Sequence, residues 1–167
     1  MQTLIKVRSE YVVQYMDAWV EKDMAYIKME LCSHSLKHFI IKKQNTFKRQ
    51  SAEAMSLTEF FISCEIFREI LESVEYLHEM NPQIIHRDLK PDNILLTHTV
   101  TNGRFFKLCD FGLAILHEGT GSQHTGGVGT LRYMAPEVKL NAKYTTKADV
   151  YSLAVIAYEL FDLKTYE

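Results

Sequence analysis

The chain has 167 residues, 47% of them apolar and 24% charged, the composition of a folded globular domain and not of a disordered segment. A net charge of −2 and a pI near 6.4 exclude the basic excess that general nucleic-acid binding needs. Cys32, Cys64 and Cys109 are odd in number and form no C-x-x-C pair, so neither a disulfide framework nor a zinc site is expected and a reducing, cytoplasmic setting fits; no apolar run reaches bilayer length, and the N-terminus carries neither a basic region nor an apolar signal core.

In chain order, residues 1 to 8 read as the tail of a helix through Leu4, Ile5 and Val7. The runs Tyr11 to Met16 and Ala25 to Met29 are rich in β-branched and aromatic residues and flank a charged turn, Glu21-Lys22-Asp23, which predicts a hairpin. Met29 taken alone is an apolar strand residue. From Ser35 to Gln44, Leu36, Phe39, Ile40 and Ile41 fall on one helical side. Between Leu31 and Ala52 there is no acidic residue, while Lys37, Lys42, Lys43, Lys48 and Arg49 all lie there. Two readings stand: a basic patch for a partner, or a solvated helix face and loop, the commoner meaning of such a run. Asn45 to Ala54 is polar and reads as a loop insertion. Ser56-Leu57-Thr58-Glu59 is a capping box, with serine and glutamate each satisfying the other's backbone donor. The long helix that starts there carries Phe60, Phe67, Ile70, Leu71, Val74 and Leu77 at spacings of three and four, and Asn81-Pro82 ends it.

Ile84-Ile85 leads into His86-Arg87-Asp88-Leu89-Lys90-Pro91-Asp92-Asn93, and Ile94 to Thr97 leads out. This run places a proton acceptor (Asp88), a cation (Lys90) and a neutral oxygen ligand suited to Mg²⁺ (Asn93) on one short loop, with Pro91 stiffening it. Asn102-Gly103 is a strong tight-hairpin signal because both residues tolerate positive φ, and Phe105 to Cys109 is the returning strand. The hairpin therefore brings Asp88, Asn93 and Asp110 to one end, where the full charge of Asp110 makes it a stronger hard-oxygen ligand for Mg²⁺ than the amide of Asn93, and Gly112 gives the backbone freedom to turn. Residues 113 to 134 hold five glycines with Ser122, Thr125 and Thr130, by themselves a flexible linker. Thr145 to Leu163 is a nearly all-apolar helix with Asp149 near its start, expected to be buried on most sides.

An isolated His-Arg-Asp recurs by chance, and the loop alone reads equally as solvated surface. Asp110-Phe111-Gly112 and Ala135-Pro136-Glu137 follow it in order, however, and together the three resemble the motif set of protein kinases. Leu89-Lys90-Pro91 is similar to the serine/threonine branch. The resemblance implies an α+β, bilobal fold, truncated, with residues 1–32 ending the small lobe and forming the hinge, and residues 33–167 the large lobe through its central helix. It further implies ATP and Mg²⁺ as cofactors. Asp88 is then the base that orients and deprotonates the acceptor hydroxyl, and Lys90 stabilises charge on the phosphoryl group. Met29, Glu30, Cys32, Leu95, Asn93 and Asp110 bind nucleotide, with Asn93 and Asp110 on the metal and Met29 controlling access behind the adenine. Arg87, Thr125 and Thr130 form the regulatory set: a phosphate on Thr125 pairs with Arg87, and Thr130 contacts Asp88 and Lys90 as structure. Asp149 anchors the backbone of the catalytic loop, and Ala154 stands where many kinases have glycine.

No G-x-G-x-x-G loop and no strand lysine in a V-A-I-K context is present, so the chain reads as a fragment whose ATP clamp is incomplete. Tyr15 to Glu21, Tyr26 to Cys32 and Gly129 to Met134 resemble the eukaryotic initiation factor 2 alpha kinases, which implies that factor as the protein substrate, translational control under stress, and a homodimeric parent protein. Wee-type kinases share a similar aromatic-Ala-Trp strand and stand as the alternative subfamily. A catalytically dead kinase fragment acting as a binding module is the rival class, against which the intact Asp88, Asn93 and Asp110 argue.

Overall fold

Ser56 starts the helix around which the structure is built. A computed structural model describes residues 9–49, 53–111, 115–117, 130–140 and 145–163; the expectations for residues 1–8, Gly112 and Thr125 lie outside these. Helix α2 (Leu57–Glu79) is the long helix, and the Ser56 hydroxyl accepts from the Glu59 N–H at 3.2 Å. The other half of the capping box is not formed. The Glu59 carboxylate, fully buried, instead accepts from Arg49 at 3.1 and 3.2 Å and lies 3.6 Å from Lys43. Lys43 and Arg49 also pair with Asp162, and the Lys43 ammonium caps the Leu160 carbonyl. Neither reading of the basic stretch holds for these two residues. They are interior cations tying helix α1 (Leu36–Thr46) to α2 and to the end of α4 (Lys147–Leu160), because an acidic partner removed in sequence makes their burial tolerable. Arg49 likewise removes its end of the polar stretch from the class of passive loop.

The buried stripe of α2 is Ile66, Ile70, Val74 and Leu77, with Glu59, Ser63, Glu69 and Ser73 buried beside it. Phe60 and Leu71, expected in the stripe, are exposed. Phe60 still touches Phe161, at 5.8 Å between ring centroids. Ile41 of α1 is likewise solvent-facing, whereas Leu36 is fully buried.

Strands β1 (Tyr15–Glu21) and β2 (Met24–Met29) form the expected hairpin, turning at Lys22 and Asp23, both at positive φ. Tyr11 to Gln14 does not belong to it. Val12 bridges Leu108, with Val13 N–H on the Leu108 carbonyl (2.8 Å) and Leu108 N–H on that of Tyr11 (3.0 Å), because burying Val12 and Val13 outweighs continuing an exposed strand. Strand β3 (Cys32–Ser35) joins β5 (Ile94–Thr101) and β6 (Arg104–Leu108) in the order β3-β5-β6. The β5–β6 turn is Asn102-Gly103 at φ 53° and 75°. Strand β4 (Gln83–Ile85) pairs with β7 (Ile115–His117). The β5–β6 hairpin is clamped onto α2 by polar contacts: the Glu69 carboxylate accepts from the Phe105 and Phe106 N–H groups at 2.8 Å each, and Arg104 donates to Ser73 Oγ at 2.8 Å.

Short helix α3 (Pro136–Lys139) begins within the last motif, with Ala135 at its N-cap. Helix α4 is shorter than expected and not buried on most sides: Ala148, Asp149, Ser152, Leu153, Ile156 and Leu160 face inward, while Val150, Tyr151 and Tyr158 are exposed. One core runs from Val12 through α2, Leu89, Ile94 and Leu108 to Ile156 and Leu160, and a second groups Ile85, Met134, Ala135, Val138 and Ala148. The two meet at the loop between β4 and β5.

Candidate active site

That loop is held from below by one buried carboxylate. Asp149 accepts from the His86 N–H at 2.9 Å and the Arg87 N–H at 3.0 Å, and lies 2.8 Å from His78 Nε2. Arg87 adopts φ 68°, a left-handed conformation that disfavours a residue with a Cβ; the grip of Asp149 on two consecutive amides holds it there. Leu89, fully buried, pins the loop's centre in the core. The residues on either side of it, Asp88 and Lys90, are thereby turned to the same opening.

Asp88 is the hub of this opening. Its Oδ2 accepts from Lys90 Nζ at 2.6 Å and Asn93 Nδ2 at 3.0 Å, and its Oδ1 accepts from the amide and the hydroxyl of Thr130, each at 3.0 Å. Lys90 also donates to the Thr130 hydroxyl at 2.9 Å. Burial by itself pushes the Asp88 carboxyl up, but the hydrogen bonds from Lys90 and Thr130 outweigh it and hold the group below the usual carboxylate range. Asp88 is therefore ionised at neutral pH and able to orient and receive the proton of a hydroxyl.

Pro91–Asn93 form a single 3₁₀ turn, which directs the Asn93 side chain back at Asp88. Its amide nitrogen donates to the Asp88 carbonyl (2.9 Å) as well as the carboxylate. With both neighbours acceptors, the NH₂ is fixed towards Asp88 and the amide oxygen is the atom left for a cation. Asp110 is exposed and stands one residue beyond Cys109, whose N–H binds the Asn93 carbonyl at 2.9 Å. A neutral oxygen and a carboxylate brought together by one ladder suit Mg²⁺ shared with phosphates. Among the described residues no group of three or more His, Cys, Asp or Glu is placed to hold a metal unaided. The Cys109 thiol is pushed up to about 12, by burial first and then by the charge of Asp110, so it stays protonated beside this site.

His86 closes the site's inner wall against the Phe111 ring, 5.1 Å away between centroids. Its Nε2–H donates to the Cys109 carbonyl at 3.0 Å, and Nδ1 accepts from the Asp88 N–H at 3.4 Å, the contacts of a neutral ring. Burial, the largest influence, depresses its pKa against the opposing charge of Asp149. The unfolded chain thus takes up a proton that the folded one refuses, so this contribution to stability is complete above about pH 6.5 and is lost as pH falls below it. Urea unfolding between pH 7.5 and 5 is expected to show that loss, and His86→Phe is expected to flatten the profile; an unchanged slope in the variant would place the titration elsewhere.

At the residues that the resemblance assigns to nucleotide, Met29 ends β2 half-exposed, Cys32 lies across from Thr97 and Ser35 across from Leu95. The side chain of Glu30 does something its sequence position does not signal. Both of its carboxylate oxygens accept from Lys107 Nζ (2.8 Å each), Oε1 also from the Thr97 hydroxyl (2.9 Å) and Oε2 from the Gln14 N–H (3.1 Å), clasping the 29–32 segment to β5 and β6. Thr125 is outside the described residues, so its pairing with Arg87 is not part of this geometry.

The protein kinase domain profile matches residues 1–166. The chain is 36% identical over 160 residues to a probable serine/threonine-protein kinase of Dictyostelium discoideum, covering 95% of this chain and 15% of that protein. It is 37% identical over 151 residues to eukaryotic translation initiation factor 2-alpha kinase 1 of Rattus norvegicus, covering 83% of this chain and 24% of that protein. Among solved structures, the crystal structure of the yeast RNA Pol II CTD kinase CTDK-1 complex superposes with a TM-score of 0.74 at 26% identity, over 96% of this chain and 48% of that one. The chain spans less than half the length of each of these proteins. Profile, relatives and superposed fold agree with the loop geometry: the chain belongs to the protein kinase domain family, with serine/threonine kinases as its relatives.

Proposed function

We propose that the chain is the catalytic part of a serine/threonine protein kinase that transfers the γ-phosphoryl group of ATP to the α subunit of initiation factor 2 in the cytoplasm, lowering translation under stress. The observation that carries the kinase reading is the Asp88 carboxylate, ionised, almost wholly buried beneath one opening and held by Lys90, Asn93 and Thr130. Residues 1–32 act as the end of the small lobe and hinge, and residues 33–167 as the large lobe. Mg²⁺ and ATP, held through Asn93, Asp110, Leu95 and the backbone of Met29 to Cys32, supply the transferable group and the positive charge that screens it. Asp88 orients the acceptor hydroxyl and accepts its proton, for which that hydroxyl must take over one Oδ1 position now filled by Thr130. Lys90 keeps a cation beside the oxygens on which charge develops. The initiation-factor assignment rests on the likeness of Tyr15 to Cys32 and Gly129 to Met134 to that group, and on the 37% identity with its rat member. Three free thiols fit a reducing compartment, and no described helix is long and apolar enough to cross a membrane.

The test is phosphate incorporation by the full-length protein into purified initiation factor 2 alpha, beside an unrelated serine-containing protein. At least tenfold preference for the factor is the expected result. Equal incorporation removes the initiation factor and keeps the kinase, and none into either sinks both.

A further inference from the structure

Two histidines outside the catalytic loop are mounted on fixed backbone and face each other. His34, exposed, is held in β3 by its pairing with Leu96. Ser35 caps helix α1, and its hydroxyl accepts from the His38 N–H at 3.4 Å, which sets the first helical turn against the end of the strand. Across that cap the two imidazoles meet, with ring centroids 4.3 Å apart and planes tilted by 37°. Among the described residues neither ring has a hydrogen-bond partner, so each keeps a lone pair for an outside ligand.

The spacing selects the kind of ion. With metal–nitrogen bonds of about 2.0–2.1 Å and roughly 1.1 Å from ring centre to nitrogen, a shared metal sits about 3.2 Å from each centroid. Centroids 4.3 Å apart then give an N–metal–N angle of about 85°, the angle between neighbouring positions of a tetragonal ion such as Cu²⁺ or Ni²⁺. A tetrahedral ion such as Zn²⁺ needs centroids about 5.2 Å apart. Opening the present tilt takes only rotation about the last side-chain torsion, which is broad in histidine. Desolvation, then the His34 ring and the Lys42 ammonium, hold His38 below the ordinary histidine value, which keeps the ring neutral as a ligand must be. Asp92 is committed to Lys37 at 3.1 Å, so the two rings and water supply the coordination.

We propose that His34 and His38 form a chelating site for a divalent transition-metal ion of tetragonal preference, Cu²⁺ or Ni²⁺, with water in its remaining positions. Bound there, the ion ties β3 to the first turn of α1, the turn from which Lys37 reaches Asp92 on the catalytic loop. Nothing in this depends on the kinase reading, and its test needs no activity.

The experiment is calorimetric titration of the full-length protein with Ni²⁺, which free thiols do not reduce, at pH 7.5. His34→Ala and His38→Ala are each expected to abolish one site or weaken it by at least about tenfold, and the double variant to be no worse than either single one, since a chelate is lost with its first ligand. Ni²⁺ should also protect both rings from diethyl pyrocarbonate, read residue by residue from peptide masses, which locates the ion whatever else the full-length protein binds. Unchanged titration in either single variant, losses that simply add in the double variant, or no protection of the two rings overturns the site.

Discussion

Asp88→Asn is expected to lower phosphoryl transfer by about a thousandfold, within the range that a positioned general base contributes, with nucleotide affinity changed by no more than about twofold. The substitution keeps the shape of the side chain and removes its proton affinity. It also turns one acceptor into a donor, and every neighbour of this carboxylate donates: Lys90 and Asn93 on one oxygen, Thr130 twice on the other. The new NH₂ group faces the Thr130 side more readily, because that hydroxyl can rotate and accept, whereas the Lys90 ammonium cannot. Lys90 and Asn93 therefore keep their contacts, and the nucleotide side of the site is left as it was. Single-turnover transfer in the full-length protein, paired with the melting shift on Mg·ATP, separates the two effects. Retained turnover would remove Asp88 from its role.

Asp149→Ala is expected to cost roughly 3–5 kcal/mol of stability, the scale for deleting a buried charge that other groups depend on. The carboxylate is wholly inaccessible and is shared by two consecutive backbone amides and the His78 ring. Without it the buried His86 amide and the partly buried Arg87 amide and His78 ring lose their shared acceptor, and nothing offsets the left-handed φ of Arg87. The loop should relax, moving Asp88 relative to Asn93, so turnover falls along with stability. Urea unfolding checks the first effect, with exposed Asp17→Ala as a control expected within about 0.5 kcal/mol of the unmodified protein. A loss below about 1 kcal/mol for Asp149→Ala would mean that Leu89 and the surrounding core hold the loop unaided.

Much of the fold was legible because local chemistry and long-range packing agree there. The Lys22-Asp23 and Asn102-Gly103 turns need positive φ and lie between strand-forming runs, so both hairpins could be read directly. The Ser56 cap and the spacing from Ile70 to Leu77 announced α2. Local reading failed where a residue had two plausible partners. Glu59 sits at the right distance for a capping box, yet buried Arg49 and Lys43 claim its carboxylate, because two interior cations lose more by going unpaired than one helix-end amide does. Leu71 continues the apolar period of α2 but falls outside the face that meets β6 and α4, and Phe60 lies at the edge of that face, exposed yet touching Phe161.

The same division runs through the site. The sequence by itself determined the order and identity of the loop residues, and with them that an acid, a cation and an amide lie within one short turn, since backbone connectivity allows little else over a span from Asp88 to Asn93. Only the tertiary structure decided which way those groups face. Thr130 reaches Asp88 from 42 residues away and Asp149 holds the loop from beneath, contacts that the family resemblance implied and the residues alone did not; Glu30 meets Lys107, and Arg132 meets Glu159, across separate elements. None of these pairs has a spacing that marks it, because their ends are joined by packing of α2, the β5–β6 hairpin and α4 around a common core, and that packing is a property of the whole chain.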